Sequence, residues 1–188
     1  MAEHDLKGKK VAILVAHGFE QIELVEPKQA LEDAGAETHI VSPADGTVKG
    51  WEHDHWSDEF DVDVPLGDAS ADDYDALVLP GGQMNPDNLR VEEDAVAFAR
   101  SFFEARKPVA AICHGPWLLV EAAVVEGRRM TSYHSIRTDL ENAGAEWVDE
   151  DVVVDHGLVT SRNPKDLPAF TRKLVEEVAE GRHAAQKA

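Results

Sequence analysis

Pro108-Val109-Ala110-Ala111-Ile112-Cys113-His114-Gly115-Pro116-Trp117-Leu118-Leu119-Val120 is the stretch on which the fold turns. Residues 108–113 are apolar without polar alternation, the pattern of a strand covered on both faces in a parallel sheet. Gly115 leaves room for a turn, and Pro116 suits a first helical turn, where its missing N–H costs nothing. Residues 115–126 are then predicted to form a helix capped by Gly127. A buried strand that passes straight into a helix with a cysteine at the junction has the geometry of a nucleophile elbow.

Outward from this junction the same alternation repeats. Residues 9–16 form a short apolar run ended by His17-Gly18. Ile22, Val25, Ala30, Leu31 and Ala34 then recur at helical spacing before Gly35, with Pro27 expected to kink that helix or mark its start. Residues 38–42 read as a strand, and residues 46–65 as a turn-rich stretch with strand-like alternation in Phe60-Asp61-Val62-Asp63-Val64. Residues 75–80 are another buried strand, stopped by Gly81-Gly82. Residues 91–106 are helical, with Ala95, Phe98, Ala99, Phe102 and Phe103 on one stripe. A short helix is predicted over 135–143 and a strand pair around Asp155-His156-Gly157. A last helix spans 164–179, and residues 181–188 are expected to fray. Strands alternating with helices indicate an α/β fold, a flavodoxin-like three-layer sandwich around a mostly parallel central sheet. No repeat or linker divides the chain, so residues 1–188 read as one domain with its core at about 9–178 and with both termini expected to fray.

The composition bounds the function. A formal net charge of −19 repels phosphate backbones and anionic membranes, which argues against dedicated nucleic-acid binding or a membrane partner. No apolar run approaches the ~20 residues of a membrane helix, and the acidic start Met1-Ala2-Glu3-His4-Asp5 is not a secretory signal. A cytoplasmic protein is expected. Cys113 is the single cysteine, so no intrachain disulfide forms, and a reducing compartment fits. The ten acids from Glu52 to Asp75, uninterrupted by Lys or Arg, read as a solvated face and loop.

In such a fold, sites form at the carboxyl ends of the strands. His17-Gly18-Phe19-Glu20-Gln21-Ile22-Glu23, Pro80-Gly81-Gly82 and Ile112-Cys113-His114-Gly115-Pro116 all reach that edge. Neither GxGxxG nor GxxxxGK[ST] follows a strand, so nucleotide binding has no support. Cys113 reads as a small buried hydrophobe or as a nucleophile, its pKa lowered by a helix N-terminus and by any adjacent imidazolium. His114 reads as a satisfied polar side chain, or as a proton carrier that meets a shared substrate without touching the sulfur. Glu20 and Glu23, three apart, are either first-turn acids favoured by the helix dipole or carboxyls aimed at the elbow. Gly81-Gly82 fits a plain tight turn as well as a pair of oxyanion-binding N–H donors. His53-Asp54-His55 would set two imidazoles on one strand face, short of a metal site, and no metal is expected. Trp51, Trp56, Trp117 and Trp147 read as core or subunit-contact aromatics, with Trp117 close to the pocket.

Ala110-Ala111-Ile112-Cys113-His114-Gly115-Pro116, with Leu77-Val78-Leu79-Pro80-Gly81-Gly82 and Phe19-Glu20-Gln21-Ile22-Glu23-Leu24, resembles the PfpI family, including its YhbO-like stress proteins. This family lies within the class I glutamine amidotransferase-like superfamily. Gly127-Arg128, Thr131-Ser132-Tyr133, Gly144-Ala145-Glu146-Trp147-Val148-Asp149 and Val152-Val153-Val154-Asp155 agree as well. The resemblance implies that Cys113 is the elbow nucleophile and that Glu23 is the buried glutamate bonded to it. It further implies that Glu20 lines the pocket, that Gly82 offers an N–H to the oxyanion, and that His114 is the histidine following the cysteine. An acid from a neighbouring subunit would complete the set, and Asp87 occupies that place, where the family more often carries the longer Glu. His134 stands where proline is expected. A homo-oligomer, a dimer or a hexamer, with no obligatory cofactor is implied.

The activity so implied is a cytoplasmic stress-response hydrolase, glyoxalase III-like or a deglycase, whose cysteine attacks small reactive aldehydes or glycated adducts. An intracellular cysteine peptidase is the alternative within the family. A redox-sensing stress protein or holdase without turnover is the alternative from a different class.

Overall fold

The computed structural model describes residues 4–188. β1 (Lys10–Leu14) leads through β2 (Phe19–Glu20) into α1 (Gln21–Asp33), followed by β3 (Glu37–Ser42), β4 (Thr47–Glu52), β5 (His55–Asp61) and β6 (Val64–Pro65). The middle of the chain is β7 (Ala76–Leu79), α2 (Met84–Leu89), α3 (Glu93–Glu104), β8 (Val109–Ile112) and α4 (Pro116–Glu121). β9 (Arg129–Met130), α5 (Arg137–Asn142), β10 (Glu146–Trp147), β11 (Val153–Asp155), β12 (Leu158–Ser161) and α6 (Leu167–Glu180) complete it.

Seven strands make one sheet in the order β11-β12-β8-β7-β1-β3-β6, parallel throughout except for the β11–β12 pair. From β1 the chain steps outward to β3 and β6, then crosses back to lay β7, β8 and β12 on the other side. The strand order thus reverses between β1 and β7, which opens a crevice beyond their carboxyl ends. Alternate strand residues point to opposite faces. Val11, Ile13, Val78, Ala110 and Ile112 meet Leu24 and Leu31 of α1 and Phe170 and Leu174 of α6. Ala12, Leu14, Leu77, Leu79 and Ala111 meet Phe98, Phe102 and Phe103 of α3, with Leu118, Leu119 and Leu140 beyond. Two helical layers over a mostly parallel sheet are the sandwich expected from the apolar runs. β2, β4 and β5 form a small separate sheet beside it.

Five expectations are corrected, the one for Pro27 only in part. Ile22 and Val25 of α1 are 40% exposed, whereas Glu23, Leu24, Pro27 and Leu31 are buried. Pairing of Phe19 and Glu20 with Gly50 and Trp51 fixes how the helix enters, and it turns Glu23 inward. Pro27 lies inside this helix, so it does not mark the helix start. α4 stops at Glu121 and not at 126, because Ala123 turns left-handed with φ 55° and sends the buried Val124 and Val125 back under the sheet. His53 occupies the β4–β5 turn with φ 54° while His55 begins β5, so the two imidazoles do not share a strand face. The tail does not fray: Gly181, at φ 81°, ends α6, the His183 N–H donates to the Arg106 carbonyl at 2.9 Å, and Gln186 is buried. The fraying expected at the other end falls partly on residues 1–3, outside the described residues. Among the described residues, no helix is long and apolar enough to cross a membrane.

Candidate active site

Cys113 is the first residue past β8 and holds a left-handed φ of 62°. For a residue with a side chain this conformation costs roughly 1–3 kcal/mol, and it persists only where the surroundings impose it. Here the Cys113 N–H donates to the Ser161 carbonyl at 3.1 Å, and the Tyr133 N–H donates to the Cys113 carbonyl at 2.8 Å. The elbow is thus tied to β12 on one side and to the segment after β9 on the other.

The turn at Cys113 brings neighbouring side chains together, which a regular helix would not. His114 Nδ1 lies 3.2 Å from Cys113 Sγ, so the imidazole does touch the sulfur, contrary to the expectation from sequence. Its Nε2 lies 3.1 Å from Ser135 Oγ. The ring stacks on Tyr133 with centroids 4.8 Å apart and meets the edge of Trp117 at 5.2 Å. Burial, with the charge of His134 second, pushes the His114 pKa down, so the ring is neutral near pH 7. With Nδ1 facing the thiol as acceptor, the ring proton sits on Nε2 and is donated to Ser135.

Glu23 is fully buried in the first turn of α1, and its Oε2 accepts the Gly81 N–H at 2.9 Å. Burial pushes its pKa up to about 8, so it is a protonated acid at neutral pH. Glu20, half-buried at the end of β2, is also raised by burial, and its charge adds to the shift at Glu23. Burial, and then the charge on Glu23, push the Cys113 thiol up, while the N–H groups of Gly82 and His114 favour the thiolate. The anticipated imidazolium is absent, and the thiol is neutral at rest. Because Glu23 is protonated at neutral pH, its charge opposes the thiolate only above about pH 8, and a neutral imidazole stands ready to accept the sulfur's proton.

This closeness depends on Gly81 and Gly82. A Cβ at Gly81 would stand 2.5 Å from both Cys113 Cβ and Glu23 Oε2, and one at Gly82 would stand 2.5 Å from the Gly18 carbonyl oxygen. The buried Asn85, which the sequence reading missed, locks the loop. Its Nδ2 donates to the Pro80 and Gly81 carbonyls at 3.0 and 3.1 Å, and its Oδ1 accepts the Ala16 N–H at 2.6 Å. An amide side chain three residues past a Gly-Gly turn was the available signal, since such groups satisfy loop backbone.

Residues 9–177 match the DJ-1/PfpI family. The chain belongs to it. It is 46% identical over 168 residues to general stress protein 18 of Bacillus subtilis, covering 88% of this chain and 95% of that one. It is 44% identical over 167 residues to deglycase PfpI of Pyrococcus furiosus, covering 89% and 98% respectively. Among solved structures, it superposes on a two-domain protein of Anabaena variabilis with DJ-1/ThiJ/PfpI-like and ferritin-like domains. The TM-score is 0.85 at 37% identity, over 90% of this chain and 48% of that one. The chain therefore spans about half the length of that two-domain protein.

The third group, Asp87, is expected to act from a neighbouring subunit of this DJ-1/PfpI member, so only its place within one chain is seen. Asp87 is exposed on α2, no hydrogen bond joins it to His114 within the chain, and the outer nitrogen of His114 is held by Ser135. Trp117 is fixed beside the histidine by its Nε1 donating to Asp139 Oδ2 at 2.8 Å and by Arg90 lying 5.3 Å over its ring. His134 packs against the far side of Tyr133, with ring centroids 4.5 Å apart.

Proposed function

We propose that this DJ-1/PfpI protein is a cytoplasmic cysteine hydrolase acting on small reactive 2-oxoaldehydes and their adducts with amines. The observation that carries the reading is the Cys113 Sγ to His114 Nδ1 contact at 3.2 Å, made by a neutral imidazole beside a buried acid. A relative named deglycase supports the substrate class.

The thiol proton passes to Nδ1 as sulfur bonds to the aldehyde carbon. The carbonyl oxygen gains the electron pair, faces the N–H groups of Gly82 and His114, and takes up the proton to give a hemithioacetal. His114, neutral again, removes the proton from the former aldehyde carbon and returns one to the neighbouring carbonyl carbon, while the hemithioacetal hydroxyl gives up its proton to that neighbour's oxygen and becomes the thioester carbonyl. The product is a thioester of a 2-hydroxy acid. Water breaks the C–S bond, which releases the acid and restores the thiol. Methylglyoxal plus one water becomes lactate, with one carbon oxidised and its neighbour reduced, so no external oxidant enters. With an amine adduct, transfer of the carbon to sulfur expels the amine, and the same course follows.

The active form in this reading is a homodimer in which the partner subunit's Asp87 approaches His114. The exposed apolar side chains of Ile22, Val25 and Met84 support self-association. Light scattering of the purified protein checks this assembly, and a monomer would remove the role given to Asp87.

The central test is methylglyoxal consumption with lactate release by the wild type, Cys113→Ala and His114→Ala. Turnover should vanish in the first variant and fall about 10²–10⁴-fold in the second. Turnover that survives loss of Cys113, or a wild type without turnover, would overturn the proposal.

A further inference from the structure

The geometry points to a second ligand site in this chain, for one first-row divalent cation of the Zn²⁺ type, held by Glu177, Glu180 and His183. It lies at the amino-terminal edge of the sheet, opposite Cys113. One donor atom from each of the three side chains lies within 4.8 Å of the others. The spacing of three puts both carboxylates on one face of α6. Gly181, left-handed at φ 81°, then ends the helix and swings His183 back across that face, where the Arg106 carbonyl anchors its N–H.

Buried polar atoms that make no hydrogen bond distinguish this cluster from ordinary surface acids. Glu177 is only 5% exposed, and its Oε2 lies 2.9 Å from His183 Nε2, yet neither atom makes a hydrogen bond. Two ligand atoms sharing a cation at about 2.0–2.2 Å each would stand about 3–3.5 Å apart, with their lone pairs aimed at the ion and not at each other. Gln186 is 2% exposed, and both of its amide atoms lack a partner. A point one Cβ out from Gly157 is 2.7 Å from His183 Cδ2 and 3.0 Å from Gln186 Oε1, so the amide oxygen stands at the rim of the same cluster. Buried polar groups without partners are uncommon, and a cation would engage the carboxylate oxygen, the imidazole nitrogen and the amide oxygen together. Imidazole with carboxylates and an amide oxygen suits Zn²⁺ or its neighbours in the first row. The ion would clip the tail, including the Lys187 carbonyl that accepts from Arg128, onto α6 and the β11–β12 turn. Glu-x2-Glu-x2-His is the sequence signal for it.

The test is calorimetric titration of Zn²⁺ into the full-length chain stripped with chelator, in a Cys113→Ser background so that the thiol cannot compete. One ion per chain should bind, and saturation should raise the Tm by roughly 5–10 °C. The exposed Glu180→Gln, whose fold circular dichroism verifies, should weaken binding at least about tenfold, and His183→Ala should remove it. Absence of binding, or equal binding by both variants, would overturn the site.

Discussion

Glu23 keeps its proton up to about pH 8 in the folded chain, against an ordinary value of 4.5. Between these values the folded protein binds a proton that the unfolded protein has released, so stability falls as pH rises through that window and levels off above it. A gap of this size corresponds to roughly 5 kcal/mol. Glu23→Gln has nothing to ionise. Its Tm should therefore draw ahead of the wild type progressively as pH rises, most steeply below about 8, in melts at closely spaced pH. Parallel curves would contradict a buried, protonated Glu23. At this scale Cys113 and Glu23 were legible because their motifs are local. The bond from His114 to the sulfur was not, because it depends on a φ of 62° that β12 and the Tyr133 segment impose from far along the chain. Ser135 escaped notice for the same reason, since a hydroxyl acquires its role only when its loop folds over the imidazole.

The stripe of α3 was read correctly because nothing but packing acts on it, and Ala95, Phe98, Ala99, Phe102 and Phe103 are all buried. The apolar spacing of α1 misleads because the packing around Cys113 overrides its amphipathic pattern: the buried face carries Glu23, and the apolar Ile22 and Val25 are left outside. α4 was overextended because Val124 and Val125 continue the apolar run after the backbone has left the helix. The contrast yields a prediction for α3. Phe102→Ala removes a fully buried ring from the core beneath β7 and β8 and should lower stability by about 3–5 kcal/mol, read as a fall in the urea midpoint at unchanged slope. A loss below about 1 kcal/mol would mean that α3 is not the layer that seals this face.

The strand order was legible only as a class. Apolar runs announce a parallel sheet, but which strands are neighbours depends on crossovers that no single run encodes. Charge acts on the whole molecule as well. At −19 the chain repels itself, and salt shortens the reach of that repulsion to about 8 Å at physiological strength. Tm should therefore climb as sodium chloride is raised from a few millimolar into that range, and a fall would show that local ion pairs outweigh the net field.

The single thiol has a further use, as a clock. Cys113 is 7% exposed and has no rival for an alkylating reagent. Its labelling rate therefore times how often a small reagent meets a reactive thiolate at the elbow, and the ratio of that rate to the rate in the unfolded chain expresses how far the fold holds the thiol back. A substrate or a second subunit that covers the elbow would slow the count without any added dye or isotope, so access to this site can be timed in the native protein.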